Sequence, residues 1–343
     1  MIGNEKKRRV TIRTVAEDAG VSVAAVSKVL RDAYGVSKQL RSRVEASMEK
    51  LGYRPLAAAR AMRGQTYTLG VLLPDLQNPF FADIMAGVNT ALERTQYQPL
   101  LGVSQSSVPV EQSLLEAMID RQMDGLIVIG PRMPHAVIES IARRTPTVLI
   151  AYHNSASQLY DTVNDDDRLG AELVVRHLIE GGYRDIAMLS LQVPPAGEAV
   201  VTTQRELGYQ AAMNEAGQSR NIRIVRAEQT PREVQAAVRQ LLTMRKPPEA
   251  VFCWTDFIAF EVLSVARELG LDVPQDVAIV GYDNTIWCDF AQHSLTSIDQ
   301  SGQVLGLQAA RLLTERIKGR THAEHFVVTP RLVARGSSAV SGR

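Results

Sequence analysis

Cysteine is nearly absent from this 343-residue chain: Cys253 and Cys288 are the only two, so no disulfide framework holds the fold together. Aromatic residues make up only 5% of it, and its core must be built mostly from aliphatic side chains. No apolar run reaches the length of a membrane-spanning helix, and the opening residues Met-Ile-Gly-Asn-Glu-Lys-Lys-Arg-Arg lack a signal-peptide stretch, so a cytoplasmic protein without a membrane partner is expected. Catalytic signatures are missing as well. No Gly-x-x-x-x-Gly-Lys-Ser/Thr loop, Gly-x-Ser-x-Gly elbow or His-Glu-x-x-His pattern occurs, and the six histidines are scattered without partners at metal spacing. An enzyme, a metal site and a bound cofactor are therefore not expected.

The chain also lacks a net charge of either sign, at +1, but the two signs are unevenly distributed. Residues 1–63 hold 14 Lys and Arg against 6 Asp and Glu, while 64–343 hold 24 against 31. A basic head that meets a polyanion, joined to a larger acidic body, is the reading this asymmetry supports. In the head, Thr11 can cap a short helix carrying Val15, Ala16 and Ala19, and Gly20 permits the positive φ of a tight turn. Ser22 caps a second helix with Val26, Val29 and Leu30 at helical spacing, and a third runs from Ser37 to about Leu51. Two short helices across so tight a turn suit a helix-turn-helix; a three-helix bundle whose charges only confer solubility is the plainer alternative.

The stretch from Thr11 to Leu30, Thr-Ile-Arg-Thr-Val-Ala-Glu-Asp-Ala-Gly-Val-Ser-Val-Ala-Ala-Val-Ser-Lys-Val-Leu, resembles the signature of the lactose-repressor (LacI) family of bacterial regulators. The likeness continues through Leu51-Gly-Tyr-Arg-Pro55, Asp75-Leu-Gln-Asn-Pro-Phe-Phe81, Asp124-Gly-Leu-Ile-Val128 and Val280-Gly-Tyr-Asp283. It implies a helix-turn-helix domain over 1–54, a hinge helix and linker over 55–67, and a two-lobed effector-binding and dimerisation body over 68–338. Lobe 1 would comprise about 68–164 and 299–328, and lobe 2 about 165–298 and 329–338. The second helix would enter the major groove, with Val23 and Ala24 able to meet thymine methyls and Lys28 able to reach guanine or phosphate. Ser22 and Ser27 would hold phosphates, which set register without reading sequence, and Thr11 belongs to the same DNA-binding set. Hydrophobic packing is the alternative for Val23. In the hinge, Arg60 would meet the backbone, and Met62 stands where relatives usually place a Leu that wedges between base pairs.

From Tyr67 onward, β-branched runs at 68–73, 98–103, 125–129, 147–151, 186–190, 222–226, 250–253 and 277–281 alternate with helical stretches. Such alternation predicts parallel sheets covered on both faces, and the length favours two lobes. The family resemblance implies a periplasmic-binding-protein-like body with three crossovers, near 163–167, 297–300 and 328–331. Candidate ligand residues fall where strands end. The resemblance implies that Asn78, Phe80 and Phe81 offer an amide and two rings, and that Asp165, Arg205, Asp283 and Gln300 offer groups for hydroxyls or a carboxylate. Core packing is the alternative for Phe81, and capping or inter-lobe hydrogen bonding for Asp165 and Asp283. Arg132, after the third strand, is a weaker ligand candidate that reads first as a solvated loop charge, and Trp254 reads as either a stacking plane or core. A sugar or sugar acid is the expected effector, with a corepressing purine, nucleoside or phosphosugar as alternative. A bare solute-binding protein would share the body but not the basic head. By family analogy Phe257, Phe260 and Trp287 would meet a second copy, giving a homodimer on a near-palindromic stretch of double-stranded operator DNA.

If the basic head carries DNA binding, truncation to 64–343 should abolish operator binding while preserving ligand binding. In the full chain, operator affinity should fall steeply with salt, as released counterions require. A gel-shift series in rising salt checks both; a truncated body that still shifts operator DNA specifically would overturn the assignment.

Overall fold

The computed structural model describes residues 10–30, 33–53, 65–192, 200–228 and 230–339. The hinge residues Arg60 and Met62 lie outside them. The chain divides into two compact units, a head ending at Thr66 and a body beginning at Tyr67.

The head holds three helices, α1 (Ile12–Ala19), α2 (Val23–Leu30) and α3 (Lys38–Leu51). Thr11 and Thr14 close a reciprocal capping box at the start of α1. Gly20 ends the helix in the left-handed region at φ 59°, a conformation open to glycine at little cost. Ser22 Oγ then accepts from the Ala25 N–H (3.1 Å), starting α2. Val15, Ala16, Ala19, Val26, Val29 and Val44 form the buried core. Arg43 donates to the Ala19 carbonyl (2.6 Å), and Lys50 pairs with Asp18 (2.7 Å), so polar contacts also tie α3 to α1.

The body contains two six-stranded sheets. The first lobe is formed by β1 (Thr68–Leu73), α4 (Phe80–Leu92), β2 (Gln98–Val103), α5 (Val108–Asp120), β3 (Gly125–Ile129), α6 (His135–Ala142), β4 (Thr147–Ile150) and β5 (Asp161–Asp165). The second is formed by α7 (Asp167–Glu180), β6 (Ile186–Leu191), α8 (Val201–Glu215), β7 (Arg223–Ala227), α9 (Pro231–Leu242), β8 (Ala250–Cys253), α10 (Asp256–Glu268), β9 (Ala278–Tyr282) and β10 (Thr296–Asp299). The chain then returns to lobe 1 for α11 (Gly302–Ile317) and β11 (His325–Val328), and ends in lobe 2 with β12 (Arg331–Val333). The sheet orders are β11-β5-β4-β3-β1-β2, parallel throughout, and β12-β10-β9-β8-β6-β7, parallel except that β12 runs against β10. Central strands such as β3 are wholly buried, as expected of sheets covered on both faces.

The chain passes between lobes at 165–167, 299–302 and 328–331. Each passage borders a strand that the apolar pattern did not mark: β5, β10 and β12 are short and carry Asp, Asn, Thr, Ser or Arg, and β11 is only four residues long. Helix α8 also begins at Val201, within a Val-Val-Thr-Thr run that reads as loop; Val201 and Thr202 are buried there, and packing outweighs their weak helix propensity.

Lobe 1 relies on one unusually close helix crossing. A Cβ added at Gly306 of α11 would strike the Ile84 carbonyl of α4, and one at Gly87 would strike the Gln303 carbonyl in return. Gly306→Ala should therefore force the helices apart and lower unfolding stability by about 1–3 kcal/mol. Urea denaturation checks this; wild-type stability in that variant would refute the close-packed crossing.

Candidate functional site

Two surfaces carry the residues singled out above. On the head, α2 turns Val26 and Val29 inward and leaves Val23, Ala24 and Lys28 exposed. Val23 is 41% exposed, which goes against the packing alternative and suits contact with a base edge. The Thr11 and Ser22 hydroxyls accept hydrogen bonds as caps; Thr11 Oγ1 also bonds Thr14 Oγ1 (3.2 Å), whereas a hydroxyl such as that of Ser22 can both accept and donate. Ser27 is half-buried on the same helix.

In the body, the C-terminal ends of the strands in both lobes enclose a cleft of about 200 Å³. Asn78, Phe80, Phe81, Arg205, Asp283 and Gln300 all line it. The first three follow β1 in lobe 1; Arg205 lies in the second turn of α8, and Asp283 directly after β9 in lobe 2; Gln300 sits on a crossover. Asp283 holds a φ of 118°, outside the usual range of a residue with a side chain. Its carboxylate accepts from Asn78 Nδ2 (2.8 Å) and from Gln300 Nε2, so an amide of lobe 1 and one of the crossover both grip lobe 2. Burial, with the negative Asp256 nearby, pushes the Asp283 carboxyl well above the ordinary range.

Beneath this surface lies an ionic cluster. Arg205 is 3% exposed; its Nε donates to Asp167 Oδ1 (2.7 Å) and its Nη1 to the Trp254 carbonyl. The guanidinium carbon lies 3.6 Å from the centre of the Tyr282 ring and 4.8 Å from that of Trp254. Asp167 Oδ2 lies 2.6 Å from His153 Nε2. Tyr282 in turn donates its hydroxyl to Asp165 Oδ2 (2.7 Å), and passes so close over α7 that a Cβ at Gly170 would strike that hydroxyl.

The expectation for Asp165 needs correcting. It does not line the cleft but is 2% exposed below it, held by Tyr282, and burial together with the charge of Asp167 raises it to about 7. Sequence reasoning passed over Asp167, the acid that pairs with Arg205, because three consecutive aspartates cannot be told apart before the start of α7 is known. Arg132, the weaker candidate, lines the cleft half-buried, as Trp254 does, which goes against the solvated-charge alternative. Trp254 Nε1 is buried without a partner among the described residues. Phe81 packs partly on the lobe 1 core while lining the cleft, so both of its readings apply.

Elsewhere on lobe 2, Phe260 packs against Trp287 (6.0 Å between ring centres) and His293 (4.7 Å). Ile286, Trp287 and Phe290 leave an apolar surface beside it, and Phe257 is half-buried on the same helix. Among the described residues no group of His, Cys, Asp and Glu is arranged to hold a metal ion, and no helix is long and apolar enough to cross a membrane.

Residues 11–55 match the family described as bacterial regulatory proteins, lacI family, and residues 175–338 match a periplasmic binding protein-like domain. The chain is 33% identical over 334 residues to the HTH-type transcriptional repressor PurR of Erwinia tasmaniensis, covering 96% of this chain and 97% of that protein. It is 32% identical over 324 residues to catabolite control protein A of Priestia megaterium, covering 94% and 96%. Among solved structures, the complex of the transcriptional regulator CelR with cellobiose matches with a TM-score of 0.70 at 27% identity, over 96% of this chain and 100% of that one.

The ionic cluster makes a pH-dependent prediction. Burial pulls the His153 imidazole down, but the hydrogen bond and charge of Asp167 outweigh it and hold the folded pKa above the ordinary 6.5. The stabilisation from this contact is therefore full below about pH 6.5 and is lost as pH rises through the folded value. Asp167→Asn should lower the His153 midpoint measured by NMR titration; an unchanged midpoint would remove Asp167 as its cause.

Proposed function

The chain belongs to the LacI family of bacterial transcriptional regulators, and on that footing we propose that it is a dimeric operator-binding repressor controlled by a sugar-type effector held in the body cleft. The observation that carries the effector class is the mixed lining of that cleft: apolar rings of Phe80 and Phe81 beside the amides of Asn78 and Gln300 and the carboxyl of Asp283. Rings suit the C–H face of a sugar, and amide–carboxyl pairs suit its hydroxyls. The cellobiose complex of CelR supports this reading.

A nucleobase is the second reading, favoured by the PurR relatives. It needs a free stacking plane. Trp254 is the widest ring in the cleft, and the Arg205 guanidinium already lies over it. That arrangement favours the sugar.

The Asn78–Asp283–Gln300 contacts give a physical basis for control. They join the lobes through the same groups that a hydroxylated ligand would engage. A ligand that takes over these bonds shifts the lobe equilibrium by its differential affinity for the two arrangements, and operator affinity changes with it. The surface of Ile286, Trp287 and Phe290 beside Phe260 is suited to burial against a second copy. A repressor of this kind acts in the cytoplasm, where the operator is, and performs no catalysis.

The test is a thermal-shift and calorimetry panel of mono- and disaccharides and purine bases on the full chain, with and without operator DNA. Sugars should raise the melting temperature and change operator affinity. Asn78→Ala should weaken the responding sugar by about tenfold, the equivalent of 1.4 kcal/mol. Binding of purines alone would favour the second reading.

A further inference from the structure

We propose that Arg132 is the anion-recognising residue of the cleft, so that the effector is an acidic sugar whose carboxylate or phosphate is held at the lobe 1 wall. The inference rests on the cleft being the effector site, and it comes from an account of the charged groups that line it: Asp75, Arg132, Arg205 and Asp283.

Three of the four are already engaged within the protein. Asp75 Oδ1 accepts the backbone N–H groups of Gln77 (2.8 Å) and Asn78 (3.0 Å). Asp283 takes the two amides described above. Arg205 is matched by Asp167 at 2.7 Å, donates to the Trp254 carbonyl and lies between two rings. The fork that the sequence offered to ligand hydroxyls or a carboxylate is thus largely occupied.

Arg132 differs. Among the described residues no carboxylate lies within ion-pair distance of its guanidinium, whose one hydrogen bond is a long contact from Nη1 to the Ser106 carbonyl (3.4 Å). The nearby Glu111 does not supply the missing partner. Its carboxylate accepts the backbone N–H of Arg132 (3.1 and 3.3 Å), and burial raises its own pKa. Burial also works against the charge of Arg132, which Glu111 offsets only in part. A cation half-removed from water whose guanidinium has no directly paired carboxylate is unfavourable, and an anionic ligand group relieves that cost. Ser106 and Val108, the latter at the start of α5, share this part of the wall, so a hydroxyl lies near the same position.

Calorimetry on the full chain with matched pairs tests the assignment: D-galactose against D-galacturonate, and D-glucose against D-gluconate and D-glucose 6-phosphate. At least one acid should bind tenfold or more tightly than its neutral counterpart, with an affinity that falls as salt rises. The gluconate and 6-phosphate arms separate a carboxylate from a phosphate. Arg132→Gln should reduce acid binding at least tenfold and close most of the gap to the neutral sugar, while Arg132→Lys should retain part of it. If neutral sugars bind as tightly as acids, and Asn78→Ala weakens them while Arg132→Gln does not discriminate, the cleft reading stands and the role of Arg132 is overturned. If no member of any pair binds, the cleft reading falls and this inference with it.

Discussion

Arg205 and Asp167 form an ion pair almost without access to water, and much of lobe 2 is arranged around making that tolerable. Two opposite charges in such a place lose more hydration than their attraction returns unless further bonds satisfy them. The surroundings supply those bonds. His153 meets the second carboxylate oxygen, the Trp254 carbonyl takes an arginine N–H, and the faces of Tyr282 and Trp254 cover the guanidinium. The ends of β8 and β9, the first turn of α7 and the second turn of α8 are thereby fixed to one another. Asp283 follows Tyr282 directly, so the cleft carboxylate takes its position from the same cluster.

This changes what the arginine does. Read from sequence, Arg205 is a ligand-gripping fork; in the folded chain it first holds the floor of the cleft. Removing one partner of a buried pair costs about 3–5 kcal/mol, because the other charge is left unpaired. Replacement of Arg205 therefore tests the integrity of lobe 2 together with any ligand contact. Asn78 and Arg132, which sit on lobe 1 and are less buried, separate binding from folding more cleanly.

How far the sequence revealed this is a matter of which physical signals are local. The helix-turn-helix was legible because caps and turn glycines act within a few residues: Thr11, Gly20 and Ser22 do what their positions suggest. The central strands were legible from β-branched runs. β5 and β10 were not, since Asp-Thr-Val-Asn-Asp and Thr-Ser-Ile-Asp look like loops until the neighbouring strands bury them. For the cleft, the family motifs after the first strand and after 277–281 pointed to Asn78 and Asp283, and the expected crossover pointed to Gln300. The exchange of Asp165 for Asp167, and the burial of Arg132, depend on a helix start and on the facing lobe, which are tertiary facts.

The segment following β9 joins two of these features. Asp283 faces the cleft, while Ile286, Trp287 and Phe290 face outward beside Phe260. Between them, Asp256 at the start of α10 clamps the segment: its carboxylate accepts from the Thr285 N–H (2.7 Å) and hydroxyl (3.0 Å), from Cys288 Sγ (3.1 Å) and from the Ser297 hydroxyl. Burial raises the Asp256 carboxyl while these donors work in the opposite direction, so the clamp depends on their staying in place. Fewer than ten residues therefore carry both a cleft carboxylate and the apolar surface suited to a second copy. A ligand that draws Asp283 away from Asn78 pulls on the segment that bears Trp287, and with Asp256 holding its middle that pull has little slack to absorb it. With the proposed effector contact at Asp283 and a second copy against Trp287, coupling of effector binding to the arrangement of a dimer would require no long relay through the core.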